Sequence, residues 1–303
     1  MTERANLFLV GAMKAGTTAF ADMIEQHSNI YMSPIKEPHF FVNALPKSIY
    51  EPSRFFNLKK YFENEFPKPL HIAKLQTVED YAKLFSLCES EHAYRMEAST
   101  GYLHAPEASG SIYEYNHQAK IIILLREPLA RAFSHYKMDV ALGRTTMSFQ
   151  EELMADIEAY QSGTLSNWSY LGMSLYFENV KRFIDCFGEE QVHILTLAQF
   201  KEHHETSQEA LFSFLKIQRG SLSLVSKNTG KELRLPILFY LLKKWGVKDY
   251  FSYIVPKKLR QQIFKKMSSE KKTEIDLNSE LLDKVTLLFN KDQQKLKAFY
   301  DFV

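Results

Sequence analysis

The stretch G-A-M-K-A-G-T-T, Gly11 to Thr18, stands between an apolar run, L-F-L-V-G at residues 7 to 11, and a segment with helical spacing of its apolar residues. A glycine turn that feeds a helix N-terminus aims backbone N–H groups and the helix dipole at one point, which is the chemistry of an anion cradle. The nucleotide-triphosphate loop G-x-x-x-x-G-K-[ST] is not written here. Gly16 is followed by Thr17 and Thr18, and the lysine, Lys14, precedes that glycine by two residues. A tight turn with a solvated lysine is the bland alternative for this motif taken alone. Farther along, K-I-I-I-L-L-R (120 to 126) ends in Arg126, where a Mg-dependent NTPase often places a carboxylate. An arginine there asks for an anion, at the strand end where open α/β sheets bind ligands. In R-E-P-L-A-R-A-F-S, Arg131 and Ser134 lie one turn apart on the following segment, so guanidinium and hydroxyl groups can meet a second phosphate. Arg131 reads equally well as a surface ion-pair partner.

The elements that must position these residues are legible in outline. Residues 7 to 11 read as a buried strand of a parallel sheet. From Thr17 to Gln26, Ala19, Phe20, Met23 and Ile24 recur at helical spacing. Residues 43 to 72, rich in aromatics and proline, read as an insertion with one short helix rather than as sheet. T-V-E-D at Thr77 resembles a helix N-cap. Residues 92 to 97 read as a strand and 106 to 117 as a helix. The run Ile121 to Leu125 holds no polar residue and is expected at the sheet centre. Pro128 opens a helix at its first position. Further helices are expected at 148 to 161, 172 to 187 and 206 to 215, with a strand at Val192 to Thr196. The alternation of strand and helix makes the chain α/β, a parallel sheet flanked by helices. No strand is obvious after Lys216, and the last helix carries Leu281, Val285, Leu288, Leu296 and Phe299 as a packing stripe.

Composition narrows the function. The 303 residues carry 38 Lys+Arg against 36 Asp+Glu, a net +2, with 45% hydrophobic and 24% charged residues. That is an ordinary globular balance, and it removes the simplest argument for nucleic-acid binding. Cys88 and Cys186 form no C-x-x-C pair, which argues against a disulfide framework or a zinc cluster and for a reducing compartment. No apolar run approaches the roughly 20 residues of a membrane span, and no signal peptide is visible, so a cytoplasmic protein is expected. One asymmetry stands out: residues 231 to 272 hold 12 Lys+Arg and 3 Asp+Glu. Two readings stay open for it, a solvated face and a peripheral contact with an anionic membrane or polyanion. The oligomeric state is not legible.

The two anion motifs, in this order and some ~110 residues apart, each between strand and helix, resemble the sulfotransferases that use 3′-phosphoadenosine 5′-phosphosulfate (PAPS). K-A-G-T-T is similar to that family's 5′-phosphosulfate loop, and L-L-R-E-P-L-A-R-A-F-S-H-Y to its 3′-phosphate motif. The resemblance implies that Lys14, Ala15, Gly16, Thr17 and Thr18 bind the 5′ end and that Arg126 and Ser134 bind the 3′-phosphate. K-E-P-H-F-F (Lys36 to Phe41) is similar to the E-x-H-F-F segment of heparan sulfate and related carbohydrate sulfotransferases. By that likeness Glu37 is the catalytic base and His39 orients or assists it. M-E-A-S-T-G-Y (Met96 to Tyr102) resembles the family's E-K-T-P-x-Y stretch, with alanine at position 98 and Thr100 in place of proline, and Glu97 reads either as functional or as structural. W-S-Y-L-G-M-S-L-Y (Trp168 to Tyr176) resembles the segment before a helix that closes the cofactor cleft. L-V-S-K-N-T-G-K-E-L-R resembles a loop over the 3′-phosphate, implying Lys227, Asn228 and Lys231 as further contacts.

The resulting expectation is one sulfotransferase domain over residues 1–303: a PAPS-binding α/β core at 1–235 with the insertion at 43–72, and a helical extension at 236–303. It moves a sulfuryl group from PAPS to an acceptor hydroxyl, on a carbohydrate or glycolipid, leaves 3′-phosphoadenosine 5′-phosphate (PAP) and needs no metal. The alternatives are an aromatic or lipid alcohol as acceptor, a P-loop kinase for a small molecule, and an anion-binding protein without turnover.

Overall fold

The structure is a computed structural model that describes residues 4–220, 222–223 and 274–300, with isolated residues and pairs between 232 and 269. Lys227, Asn228, Lys231 and most of the basic tract lie outside the described residues.

Five parallel strands form the sheet: β1 (Leu7–Gly11), β2 (Ile30–Met32), β5 (Tyr94–Ala98), β6 (Lys120–Leu125) and β7 (Val192–Thr196), in the order β2-β5-β1-β6-β7. β1 is buried throughout, as its unbroken apolar run requires of a strand covered on both faces. β6 is interior rather than central. It lies between β1 and β7, and β1 holds the middle, because both runs are equally apolar and only the crossovers decide their order. The chain lays β2 and β5 on one side of β1, then β6 and β7 on the other. The C-terminal end of β1 is therefore a topological switch point, where a crevice opens for ligands. Gly11 ends β1 at a register irregularity against β6. A Cβ there would lie 2.6 Å from Leu103 Cβ, so only glycine lets the chain turn.

The helices follow their local signals. α1 (Thr17–Ile24) buries Phe20, Ala21, Met23 and Ile24. Thr77 accepts the Asp80 N–H at 3.1 Å to start α3 (Val78–Lys83), and α4 (Ala108–Tyr115) precedes β6. Pro128 opens α5 (Pro128–Leu142), and Ser148 with Glu151 forms a complete capping box on α6 (Phe149–Gln161). α7 (Phe177–Phe187) comes later than expected, because Gly172–Ser174 forms a separate 3₁₀ turn. β7 leads into α8 (Leu197–Glu202) and α9 (His204–Leu215).

The insertion departs from expectation. Beside its helix α2 (Leu58–Asn64) it carries a strand, β4 (Leu70–Ile72), which pairs in parallel with β3 (Ile35–Glu37). Three-residue strands are too short to show periodicity, and only their mutual pairing defines them. β3 delivers Glu37. After Lys216 the described residues also include a two-residue antiparallel pair, Glu232–Leu233 with Ser268–Ser269.

The last helix, α10 (Ser279–Phe299), is part of the body. Leu281, Val285 and Phe289, spaced by four, join Ala132 and Phe133 of α5 and Phe149 and Leu153 of α6 in a second apolar cluster. Leu288 packs against this cluster partly buried, and Phe289 beside it is the buried residue. Asp292 accepts the N–H groups of Tyr176 at 2.7 Å and Phe177 at 3.2 Å, capping α7. No helix among the described residues is long and apolar enough to cross a membrane. Phe289→Ala should destabilise the fold by about 3–5 kcal/mol, read as a lower denaturation midpoint. A loss below about 1 kcal/mol would mean that α10 is a loosely held appendage.

Candidate active site

The loop after β1 is built to leave donors free. Gly16 caps α1 in the left-handed region at φ 92°, no side chain caps the helix, and its first turn holds no acidic residue. The first-turn N–H groups of an α-helix have no intrahelical acceptor, so those of Thr17 and Thr18 are open to an anion. Gly16 is required twice over, since a Cβ would also meet Leu197 Cδ1 at 2.8 Å. Lys14, itself at φ 71°, reaches Met138 Sδ at 3.7 Å. Arg126 donates from Nη1 to the Lys14 carbonyl at 3.0 Å, tying the two anion motifs together, and its own carbonyl accepts from Tyr176 OH at 2.9 Å.

Arg131 resolves against the ligand role. It is fully buried, with Nε on Ser174 Oγ at 2.7 Å and Nη2 on the Tyr170 carbonyl at 2.8 Å. It pins the 170–174 turn to α5 instead of meeting solvent or a carboxylate. Among the described residues none of Lys14, Arg126 and Arg131 makes an ion pair. Burial, with Arg126 and Arg131 nearby, pushes the Lys14 ammonium below its ordinary value. Asp139 and Glu37 act on Lys14 only from a distance, so positive charge is held in a partly dry place without a carboxylate in ion-pair contact, the condition that favours an incoming anion. Ser134 stands part-buried on α5 beyond Arg126. His135 packs inward beneath Tyr170 with Nε2 3.5 Å from Asp139, a core histidine.

Facing this cradle, β3 presents Glu37 and the following turn presents His39. Glu37 Oε2 accepts from Thr100 Oγ1 at 3.0 Å and lies 3.2 Å from His39 Nε2, while Oε1 meets Lys36 Nζ at 3.3 Å. Burial alone would raise the Glu37 pKa, but the His39 hydrogen bond and the Lys36 charge outweigh it and hold the carboxyl at about 2. His39 sits in the left-handed region at φ 46°, fully buried. Three contacts hold it there: its N–H donates to Ser99 Oγ at 3.0 Å, its carbonyl accepts from Lys74 Nζ at 3.2 Å, and its ring meets Glu37. A Cβ on Gly101 would come within 3.0 Å of the His39 ring, so that glycine makes room for it.

Sequence reasoning missed His71 of β4, whose edge reaches solvent. Partial burial and the Lys36 charge lower its pKa, and Glu37, His39 and Lys14 also act on it. No motif marks it, because it joins the site only through the β3–β4 pairing. Ser99, Thr100 and Lys74 were also unassigned. Thr100 is one of the two positions where the chain departs from E-K-T-P-x-Y, which was the available signal, and Ser99 lies between them. Glu97 is fully buried and bonded to Tyr81 and Tyr102. Among the described residues no group of three or more His, Cys, Asp or Glu is placed to hold a metal ion.

A family model described as the sulfotransferase domain matches residues 4–233. The chain belongs to this sulfotransferase domain family. Among curated proteins, carbohydrate sulfotransferase 15 of Mus musculus is 22% identical over 287 residues, covering 76% of this chain and 47% of that protein. Heparan sulfate glucosamine 3-O-sulfotransferase 5 of Mus musculus is 24% identical over 191 residues, covering 62% and 46%. The chain spans about half the length of the curated relatives it matches. Among solved structures, a sulfotransferase from Alicyclobacillus acidocaldarius superposes with a TM-score of 0.64 at 26% identity, covering 98% of this chain and 96% of that one. A mouse sulfotransferase, SULT7A1, complexed with PAP, shares the fold at a TM-score of 0.50 and 14% identity, covering 97% and 88%.

The depressed Glu37 carboxyl has a defined pH consequence. Its folded pKa, about 2, lies below the ordinary 4.5, so its stabilisation is complete above 4.5 and disappears as pH falls through 2. The shift corresponds to on the order of 3 kcal/mol. The denaturation midpoint of the wild type, compared with Glu37→Gln, should lose its advantage between about pH 5 and pH 2. An advantage unchanged over that range would contradict the buried ion pair.

Proposed function

We propose that the protein transfers a sulfuryl group from PAPS to a hydroxyl of a carbohydrate acceptor. The observation that carries this reading is the uncapped α1 N-terminus with unpaired Lys14 and Arg126 across from an ionised carboxylate–histidine pair. The residues suit such a donor: the N–H groups from Gly16 to Thr18 and the Lys14 ammonium fit its 5′ end, while Arg126 and Ser134 fit a 3′-phosphate. When bound, PAPS supplies an activated sulfuryl group, and PAP is left after transfer. The PAP complex of the mouse neighbour and the carbohydrate names of the curated relatives support the choice of donor and of acceptor.

The chain's own part is proton transfer and charge placement. Glu37 is ionised at neutral pH and accepts the acceptor hydroxyl's proton as that oxygen becomes a nucleophile. His39 and Thr100 fix the carboxylate's direction, so little reorganisation is needed at the moment of reaction. Lys14, already poorly solvated, gains most where negative charge accumulates, which places its stabilisation in the transition state. His71, at the rim, is positioned to meet the acceptor.

Calorimetric titration with PAP in EDTA, beside ATP with Mg²⁺, tests the donor class. Tight PAP binding is expected, weakened roughly 10- to 100-fold by Arg126→Ala. Preference for ATP with Mg²⁺ would instead indicate a kinase, and binding of neither an anion-binding fold without chemistry. With labelled PAPS and a panel of desulfated glycans and aromatic alcohols, Glu37→Gln should lower transfer by ~10²–10⁴-fold and Lys14→Ala by ~10²-fold or more. Full activity in either variant would remove that residue from the mechanism.

A further inference from the structure

The carboxyl of Glu97 lies at the C-terminal end of β5 with no exposed surface. Its Oε2 accepts two tyrosine hydroxyls, Tyr81 at 2.7 Å and Tyr102 at 3.0 Å. Tyr102 then uses its oxygen to accept the Phe41 N–H at 3.3 Å. Phe41 closes the strip that begins with Glu37 and His39, and its ring sits among Phe8, Tyr81, Tyr102 and Tyr115 at centroid distances of 5.1–5.9 Å. Phe40 stacks on Tyr81 at 4.4 Å. Glu97 therefore orients two of the four rings that cage Phe41, and one of those two also holds its backbone. The segment that follows Glu97 supplies the rest of the support, with Ser99 on the His39 N–H and Thr100 on the Glu37 carboxylate.

We propose that Glu97 is a positioning residue for Glu37 and His39, acting through Tyr102 and Tyr81 on the strip that carries them. The physical basis is a hydrogen-bond chain in a low-dielectric interior, N–H of Phe41 to O–H of Tyr102 to the Glu97 carboxyl, in which each bond polarises the next. A carboxyl rather than an amide matters because its second oxygen, Oε1, has no hydrogen-bond partner. That oxygen is where a proton can reside while Oε2 goes on accepting both tyrosines. Burial raises the carboxyl to about 7 against the pull of the Ser99, Tyr81 and Tyr102 hydroxyls, with Glu37 adding to the rise. The titratable groups facing it are Tyr81 from α3, Tyr102 from the turn after β5, Glu37 from β3 and Tyr115 from α4. Protonation near neutral pH thus removes a second negative charge from beneath the ionised Glu37 without breaking the chain.

This inference rests on the assignment of Glu37 and His39 to the reaction, yet it is testable without any acceptor. The probe is the His39 ring in ¹H–¹⁵N spectra of ¹⁵N-histidine-labelled protein, assigned by loss of its signal in His39→Gln. Across pH 6 to 8 the wild-type His39 resonance should follow the Glu97 titration. In Glu97→Gln, whose amide oxygen still accepts both tyrosines, that resonance should lose the part of its pH response that follows Glu97. Tyr102→Phe, which removes the link to Phe41, should displace it at every pH. PAP affinity, read by calorimetry, should change less than threefold in both variants, since the cradle after β1 is separate. In the labelled-PAPS assay, Tyr102→Phe should lower kcat ~10-fold or more, and Glu97→Gln should restore the wild-type rate at pH 6 while flattening the pH profile above it. A His39 resonance that titrates identically in wild type and Glu97→Gln overturns the proposal even if PAP binds. Absence of PAP binding in the wild type would defeat the sulfotransferase reading and leave the His39 result standing by itself.

Discussion

Buried positive charge with no carboxylate in ion-pair contact is the constraint around which the site is arranged. Lys14, Arg126 and Arg131 gather at the C-terminal ends of β1 and β6, and the protein answers them with carbonyls, hydroxyls and a thioether rather than carboxylates. Carbonyl dipoles orient a guanidinium but leave its net charge intact, so the field of the cluster is available to a ligand. The sheet order makes the arrangement possible. Because the strands switch sides at β1, the loop from Gly11 to Thr18 and the end of β6 come together at the C-terminal edge of the sheet, joined by the Arg126–Lys14 hydrogen bond, where open α/β sheets bind ligands.

The Glu37–His39 side of the candidate site is organised on the opposite electrostatic principle. Glu37 is a negative group whose neighbours, Lys36, His39 and Thr100, are all chosen to keep it ionised. A carboxylate held that low is a modest base in the resting protein. In the proposed transfer its effectiveness would depend on an acceptor hydroxyl placed against it and on developing charge that the Lys14 cluster stabilises. The left-handed backbone at His39 is consistent with this demand for placement. Strain there is sustained by fixed contacts to Ser99, Lys74 and Glu37 rather than by any preference of the residue itself.

How much of this is written in the sequence depends on the range of the interaction. β1, β6 and β7 declare themselves as apolar runs, and the cap at Thr77 is local chemistry, so each lies where expected. The glycine turn before α1 was legible because Lys14, Gly16, Thr17 and Thr18 fall within five residues. What could not be read were features that exist only through pairing at a distance. β3 and β4 are three residues each and define one another, so His71 was invisible as a site residue. Arg131 could be read as a phosphate contact or as a surface ion-pair partner and is instead a fully buried clamp on Tyr170 and Ser174, since a motif fixes a position on a helix but not which side of it is covered. The rank of β6 within the sheet was likewise decided by crossovers, which hydrophobicity does not record.

In the proposed function Lys14 and Arg126, which make no ion pair among the described residues, are two separate anchors, one for each end of a 3′,5′-bisphosphorylated nucleotide. The most direct measurement is ³¹P NMR of PAP titrated into the wild type, Lys14→Ala and Arg126→Ala, because the 5′- and 3′-phosphates give distinct resonances. The account requires both signals to shift in the wild type, with Lys14→Ala abolishing mainly the 5′ response and Arg126→Ala mainly the 3′ response. Equal effects of the two substitutions on both phosphates, or no response of either phosphate to the wild type, would contradict it.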